Sequence, residues 1–298
     1  MIQEAVMKTQ ISNDILTVST SAYNGELTSI KTGDGVEYLW QGDPAYWSGQ
    51  APILFPICGA IRDGRTRING AWYQMPKHGI ARKIDYEPAG QTGDSVSYLL
   101  RADEASKKQY PFDFELLVTY RLEQNRIHHL FTVRNRGTEE MPFSLGGHPG
   151  FCCPLLPGEK FEDYQVEFEQ EENTCVLPLD AASGLPDTGR PVPFLKDEKI
   201  WKLQHSDLLH DALIFPSLKS RAVTLRHPDT GRGVRISFPD MPYLLIWCPK
   251  EGAPFLALEP WSGMPTCTDE GDDFAAKRGM RCLKPGEEAR LSFTVEIL

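Results

Sequence analysis

Alternation of apolar and polar residues along short segments is the feature that most restricts the fold of this chain. Near the C-terminus, Ala289, Leu291, Phe293, Val295 and Ile297 alternate with the polar residues between them. Successive side chains of a β-strand point to opposite faces of the sheet. The pattern therefore predicts a strand with one buried face and one solvated face.

The same reasoning predicts strands along most of the chain. Asn24-Gly25 and Asn69-Gly70 favour the tight turns of β-hairpins. Residues 50–64 are apolar and interrupted by proline, which predicts a buried extended segment rather than a helix. The predicted strands are residues 15–20, 37–41, 72–75, 95–101, 114–122, 126–134, 212–215, 222–226, 233–238, 243–248, 255–258 and 289–297.

Helices are predicted only for residues 103–109 and 269–277, and both are short. An acidic cluster at residues 167–172 is most simply a solvated face. The sequence contains no repeat, no low-complexity linker and no break in composition. We therefore expect an all-β protein in which residues 1–298 form one large antiparallel domain.

Charge and cysteine content argue against several classes of partner. The 31 lysine and arginine residues against 41 aspartate and glutamate residues give a net charge of −10. Without a basic run, neither nucleic acid nor a membrane is an expected partner. No apolar run approaches the roughly 18 residues of a membrane helix, and the N-terminus lacks a signal-peptide core. The seven cysteines form no C-x-x-C pair, which is typical of reduced thiols in the cytoplasm.

His148 stands in the most unusual local context of the chain, the segment PFSLGGHPGF at 142–151. Two glycines precede the histidine, and Pro149-Gly150 follows it. Glycine allows close backbone approach and proline restricts its neighbours, so this run interrupts a regular strand and fixes the direction of the imidazole. A histidine that acts as an acid or base near neutral pH needs such a fixed direction toward its substrate. The alternative is a turn with an incidental histidine.

Two other segments carry candidate polar residues. In PKHGIAR at 76–82, His78 lies between a Pro-Lys pair and a glycine, and Arg82 follows four residues later. A surface turn is the simpler interpretation of this segment. Glu259 follows the predicted strand 255–258, and Asp211 opens the apolar segment 211–215. A carboxylate next to a core strand suggests a cleft, although a solvated strand end fits equally well.

Histidines 128 and 129 lie in the predicted strand 126–134 and face opposite ways. His129 shares its face with Ile127, Phe131 and Val133. A core histidine with satisfied hydrogen bonds is the favoured interpretation. His128 is expected to be solvated.

Taken together and in order, three motifs resemble the aldose 1-epimerase family, also called galactose mutarotase-like. They are PKHGIAR at 76–82, GGHPGF at 146–151 and LALEPWSG at 256–263. The segments YLWQGDPAYWSGQAPILFPICG at 38–59, YPFDFELLVTYRL at 110–122 and HDALIF at 210–215 extend the similarity over nearly the whole chain. The chain is most similar to the shorter bacterial branch of the family.

The resemblance implies a β supersandwich that interconverts the α and β anomers of a free sugar. By analogy, Glu259 is the general base and His148 the general acid. His78 would hold the ring-oxygen side of the sugar, and Asp211 would bind its hydroxyl groups. The expected partner is a small sugar, bound by a monomer or a homodimer.

The chemistry of mutarotation agrees with these residue types. The C1 hydroxyl loses a proton while the ring oxygen gains one, the ring opens, the C1–C2 bond rotates, and the ring closes on its other face. One carboxylate and one imidazole can exchange these protons and are restored by ring closure. No nucleophile, metal or redox cofactor is required. Trp261 or Phe151 would suit the apolar face of a sugar, and both also suit a core.

One position departs from the family pattern. Relatives usually carry an arginine after the glycine that aligns with Gly59, whereas this chain has Ala60. Residues 60 and 62 share a face on an extended strand, so Arg62 is a candidate to replace that arginine. Its guanidinium would bind sugar oxygens or a phosphate. Arg82 is the second candidate, and a surface position is the alternative for Arg62.

Other functions would use the same side chains. His78, His148 and Glu259 could bind iron, although no H-x-H or H-x-D/E pair supplies two ligands from one strand. Asp211 and Glu259 could be the two carboxylates of a glycoside hydrolase, which would leave the histidines without a role. A sugar-binding protein without catalysis is a further alternative. Glucose, galactose and a hexose 6-phosphate all remain open as ligands, the last as the substrate of a hexose-6-phosphate epimerase.

Overall fold

The computed structural model describes residues 8–209 and 211–298 of the chain. Strands dominate this part, and one short α-helix and three 3-10 turns accompany them. The strands are β1 (Lys8–Ser12), β2 (Leu16–Ser21), β3 (Glu26–Thr32), β4 (Ile53–Leu54), β5 (Arg65–Ile68), β6 (Ala71–Gln74), β7 (Glu87–Gln91), β8 (Ser95–Arg101), β9 (Phe114–Glu123), β10 (Arg126–Asn135), β11 (Met141–Phe143), β12 (Gly146–Gly147), β13 (Gly150–Cys152), β14 (Gln165–Val176), β15 (Val192–Lys202), β16 (Leu213–Phe215), β17 (Ala222–Arg226), β18 (Gly233–Ser237), β19 (Tyr243–Trp247), β20 (Phe255–Trp261), β21 (Arg281–Leu283) and β22 (Glu288–Ile297). The helix is α1 (Glu104–Lys107), and the 3-10 turns are Arg62–Gly64, Phe161–Asp163 and His205–Leu208.

Two large antiparallel sheets form the framework. One has nine strands in the order β15-β14-β17-β18-β22-β10-β9-β8-β7. The other has the order β16-β19-β20-β12-β4, with β13 also paired to β20. One hydrophobic core joins them; for example, the rings of Phe55, just after β4, and Phe114 in β9 are 5.0 Å apart. The predicted fold class, an antiparallel β supersandwich with few short helices, is confirmed.

The centre of the nine-stranded sheet follows the sequence pattern closely. In β22, Leu291, Phe293, Val295 and Ile297 are buried and the residues between them are partly exposed. Strand β10 pairs with β22 and alternates in the same way. Shifting a strand by one residue would expose this whole face. Because burial of each such side chain contributes about 1.5–3 kcal/mol, the observed register is strongly favoured.

His129 lies in this core and departs from the expectation in one respect. It is 1% exposed and stacks on Phe293, with ring centroids 4.0 Å apart. On its other side the ring of Tyr120 is 5.0 Å away. Neither ring nitrogen has a hydrogen-bond partner in residues 8–209 and 211–298. The histidine is a core residue as predicted, but its hydrogen bonds are not satisfied.

Several local predictions need correction. Residues 269–277 do not form a helix, because their backbone groups bond to β5: Arg67 N–H donates to Asp272 O at 2.8 Å, and Phe274 N–H donates to Arg67 O at 2.9 Å. Residues 37–41 form only isolated bridges rather than a strand. The predicted helix at 103–109 is present in shorter form as α1, capped by Asp103 and Ser106.

The acidic cluster at 167–172 is part of β14, a strand that the sequence pattern does not predict. Most of its acidic side chains are partly or fully exposed, but Glu172 is 2% exposed. Its carboxylate accepts hydrogen bonds from the backbone N–H groups of Lys219 at 3.2 Å and Ser220 at 2.7 Å. The interpretation as a uniformly solvated face is therefore wrong.

All seven cysteines are free. In the described part of the chain, no helix is long and apolar enough to cross a membrane.

Candidate active site

Glu259 lies inside a strand rather than after one. Strand β20 continues past the predicted end and runs to Trp261, so Glu259 pairs with Leu245 of β19 in the middle of the sheet. The side chain is only 2% exposed. A carboxylate held this firmly by a central strand has a fixed position and little access to water.

His148 stands in the gap between two very short strands, β12 and β13. Both pair with β20, Gly146 with Trp261 and Gly150 with Ala257, and the same register places His148 opposite Glu259. A Cβ atom on Gly146 would lie 2.6 Å from Cδ1 of Trp261, which explains why this approach requires glycine. The Nε2 atom of His148 is 3.3 Å from Oε1 of Glu259.

His78 is held by its own backbone and by Gly59. Its φ of 70° is rare for a residue with a side chain. The His78 N–H donates to Gly59 O at 2.7 Å, and the Gly59 N–H donates to Nδ1 of the imidazole at 3.1 Å. Because Nδ1 accepts this bond, the neutral ring carries its proton on Nε2. His78 is therefore a hydrogen-bond donor with a fixed tautomer.

A cavity of about 250 Å³ brings these three side chains together. Six of the candidate side chains border it: His78, Arg82, His148, Asp211, Glu259 and Trp261. Asp211 borders the cavity from an exposed position, and its backbone φ is 84°. Phe151 does not border the cavity and is a core residue, 1% exposed.

Arg62 does not border this cavity. Its guanidinium donates to the carbonyls of Cys267 at 3.2 Å and Thr268 at 3.3 Å, and lies 3.7 Å from the Asp272 carboxylate. The geometric premise of the prediction also fails, since a 3-10 turn begins at Arg62 and replaces the extended strand. Of the two arginine candidates, the structure brings only Arg82 to the site.

The cavity side chains that were not predicted include Trp47, Trp247 and Lys77. The ring of Trp47 stacks on His148 at 4.8 Å between centroids, and Trp247 meets the same imidazole edge-on at 5.4 Å. Trp47 and Lys77 both lie within segments that resemble the aldose 1-epimerase family, at 38–59 and 76–82, so the sequence contained a signal for them. Trp247 ends an apolar strand and gave no separate signal.

Burial is the main cause of the pKa shifts of Glu259, His148 and His78. Burial raises the pKa of Glu259 well above its usual value, Asp211 raises it further, and Lys77 and Arg82 lower it. Burial lowers the pKa of His148 to about 3, and Arg82 and Lys77 act in the same direction. The pKa of His78 is also well below its usual value, first because of burial. Burial therefore shifts all three groups toward their uncharged forms.

A smaller cavity of about 60 Å³ adjoins the first and shares Lys77, Asp211 and Trp261 with it. Ala60, the position that departs from the family pattern, borders this smaller space. In residues 8–209 and 211–298, no three histidine, cysteine, aspartate or glutamate side chains are grouped as metal ligands would be.

Known proteins resemble this chain over almost its full length. The family model described as aldose 1-epimerase matches residues 7–296. The chromosomal protein LacX of Lactococcus lactis subsp. lactis is 39% identical, an alignment that covers 98% of this chain and 100% of the relative.

Two solved structures share the fold closely. A galactose mutarotase related enzyme from Lactobacillus acidophilus has a TM-score of 0.93 and 31% identity, covering 98% of this chain and 97% of its own. A galactose mutarotase-like protein from Lactobacillus casei ATCC 334 has a TM-score of 0.91 and 28% identity, covering 98% and 100%. The match of the family model and the identity to LacX extend over the whole of the site described above, and this chain therefore belongs to the aldose 1-epimerase family.

Proposed function

We propose that this chain interconverts the α and β anomers of a free hexose or a related sugar, with Glu259 as general base and His148 as general acid. The observation that carries the proposal is the pair itself, in which Nε2 of His148 is 3.3 Å from Oε1 of Glu259 at the wall of a cavity. Nδ1 of His148 and Oε2 of Glu259 have no hydrogen-bond partner among the residues described. Buried polar atoms usually have partners, which supports a ligand-binding role.

In the reaction, the Glu259 carboxylate takes the proton of the C1 hydroxyl while the His148 imidazolium gives a proton to the ring oxygen. The C1–O5 bond breaks and leaves an open-chain aldehyde, an uncharged carboxyl group and a neutral imidazole. After rotation about C1–C2, the O5 hydroxyl attacks the other face of C1. His148 then recovers its proton from O5, and Glu259 returns its proton to O1, so both groups are restored.

Burial of the pair assists this cycle. The shifts in pKa favour a neutral carboxyl group and a neutral imidazole, which is the distribution of protons after ring opening. These shifts therefore lower the free energy of the open-chain intermediate relative to the bound ring form. The positive charges of Lys77 and Arg82 act on Glu259 in the opposite sense and favour the carboxylate that starts the reaction.

The remaining cavity residues suit recognition of a polyol. The Nε2–H group of His78 can donate to the ring-oxygen side of the sugar, because Nδ1 is occupied by the Gly59 N–H. Asp211 offers carboxylate oxygens to sugar hydroxyls. Trp261 and Trp47 provide aromatic surface in the same cavity, and aromatic rings suit a ligand that has both apolar and polar sides.

The decisive experiment compares wild type with Glu259→Gln in an NMR or polarimetric assay of anomer exchange. Glutamine keeps the shape of the side chain and removes the base. We expect sugar binding to persist and exchange to fall about 10²- to 10⁴-fold. Exchange near the wild-type rate in this variant would refute the assignment of Glu259.

The same assay separates the alternatives. A sugar-binding protein without catalysis would bind sugar saturably and leave the spontaneous exchange rate unchanged. A glycoside hydrolase would release a monosaccharide from a glycoside, which mutarotation cannot do.

A further inference from the structure

Two cations border the cavity without a close counter-ion in the described part of the chain. Lys77 and Arg82 both border it, yet in residues 8–209 and 211–298 neither takes part in an ion pair within 4.0 Å or donates a side-chain hydrogen bond. The close contact between titratable groups within the cavity is His148–Glu259. Lys77 is exposed and Arg82 is partly buried, and Glu26 and Glu259 act on Arg82 only from beyond that distance.

Arg62 has a structural role and provides a comparison for Arg82. Its guanidinium donates to two carbonyls and has a carboxylate 3.7 Å away. Arg82 is also partly buried and, among the residues described, has no hydrogen-bond acceptor and no carboxylate within 4.0 Å. Burial lowers the pKa of its guanidinium, and the charges of Glu26 and Glu259 partly offset this. A partly desolvated cation without a partner is unfavourable unless a ligand completes its contacts.

We propose that Lys77 and Arg82 form a binding site for an anionic group on the sugar, a phosphate ester or a carboxylate. The inference rests on the proposed function, because the reacting C1 end of the sugar must lie at Glu259 and His148. The anionic group is then carried by a carbon other than C1. Guanidinium and ammonium groups bind such anions through charge-assisted hydrogen bonds.

Electrostatic tuning of Glu259 is the competing role for these cations, since both lower the pKa of that carboxyl group. The two roles differ in what they affect. Tuning acts on the chemical step for every sugar, whereas an anion site acts on the binding of charged sugars. The comparison must therefore use pairs of sugars that differ only in charge.

The test measures kcat/KM for anomer exchange with glucose, glucose 6-phosphate, galactose, galactose 6-phosphate and glucuronate. Wild type, Lys77→Met and Arg82→Met are compared, with Arg62→Met as the matched control for loss of an arginine outside the cavity. For wild type we expect a preference for one of the charged sugars over its neutral counterpart. Each cavity variant should reduce this preference roughly 10- to 100-fold, mainly through KM, and Arg62→Met should retain it.

Phosphate esters and carboxylates are separated by the glucuronate and 6-phosphate arms of the panel. The KM for the preferred charged sugar should also rise with ionic strength, because salt screens the attraction. Wild type without preference for any charged sugar would overturn the proposal. Equal losses for neutral and charged sugars, expressed in kcat, would also overturn it and assign the cations to tuning.

Binding distinguishes failure of this proposal from failure of the proposed function. Calorimetric titration of Glu259→Gln with glucose and with glucose 6-phosphate measures affinity without turnover. We expect the phosphate ester to bind more tightly than glucose, and Lys77→Met in the same background should abolish this difference in affinity. That result would support the anion site even if wild type did not accelerate exchange. Equal affinity for both sugars would count against the site even in an active mutarotase.

Discussion

Replacing His129 by leucine is expected to make the stability of the protein less dependent on pH. The imidazole is enclosed by Phe293 and Tyr120, and burial lowers its pKa from 6.5 to about 3. In the unfolded chain the ring regains a pKa of about 6.5. Protonation therefore favours the unfolded chain, so the stability linked to the neutral ring is complete above pH 6.5 and is lost as the pH falls toward 3.

The two pKa values give the size of the effect. Between pH 7 and pH 5, His129 should lower the free energy of unfolding of wild type by about 2 kcal/mol. Leucine removes this titration and places no polar atom in the core. His148 is kept in both proteins, so its own contribution cancels from the difference.

Urea unfolding at pH 7, 6 and 5 measures the effect for wild type and His129→Leu. His128→Gln is the control, because His128 lies on the same strand and bonds instead to Thr294 and Glu123 on the other face. This control keeps His129 and should follow the wild-type slope. A difference between wild type and His129→Leu that stayed constant within about 0.5 kcal/mol from pH 7 to 5 would refute the reasoning.

Three further outcomes are expected. His148→Asn should lower the saturated rate of anomer exchange strongly and sugar affinity less; a loss of affinity alone, with normal turnover at saturation, would make His148 a binding residue. Gly79→Ala should destabilise the fold by on the order of 3 kcal/mol in thermal unfolding, because the new Cβ would lie 2.1 Å from the Phe55 carbonyl oxygen at a φ of 74°, and an unchanged Tm would contradict this. Exchange should persist after treatment with a chelator, because the acid–base cycle needs no metal; loss that one specific metal restores would support the iron-binding alternative.

Local pattern was sufficient for the central strands and insufficient at the margins of the sheet. Strands β10 and β22 alternate regularly because one face packs on the core along their whole length. In contrast, β14 and β15 contain several register shifts and many exposed positions, so alternation is weak there. Sequence periodicity reports burial on one face, and strands without a continuous buried face give little signal.

The sequence identified candidate site residues but not their geometry. His148 and Glu259 stand out through local motifs, but their opposition depends on the register of β12 and β13 against β20, which pairs segments distant in sequence. Trp247 reaches the cavity from β19, the strand that pairs with the other side of β20. Arg62 was misplaced because a 3-10 turn interrupts the extended segment on which the prediction relied.

The two outer strands of the nine-stranded sheet have a consequence for self-association. All five residues of β7 are exposed, and its pairing is interrupted between Pro88 and Gly90. At the opposite edge, β15 contains Pro193, a charged run at residues 196–199 and a positive φ at Asp197. Proline, charge and irregular pairing are the devices that prevent one sheet from adding to the next. Growth of this sheet by strand addition from a second copy is therefore disfavoured at both edges, and a homodimer would have to use other surfaces.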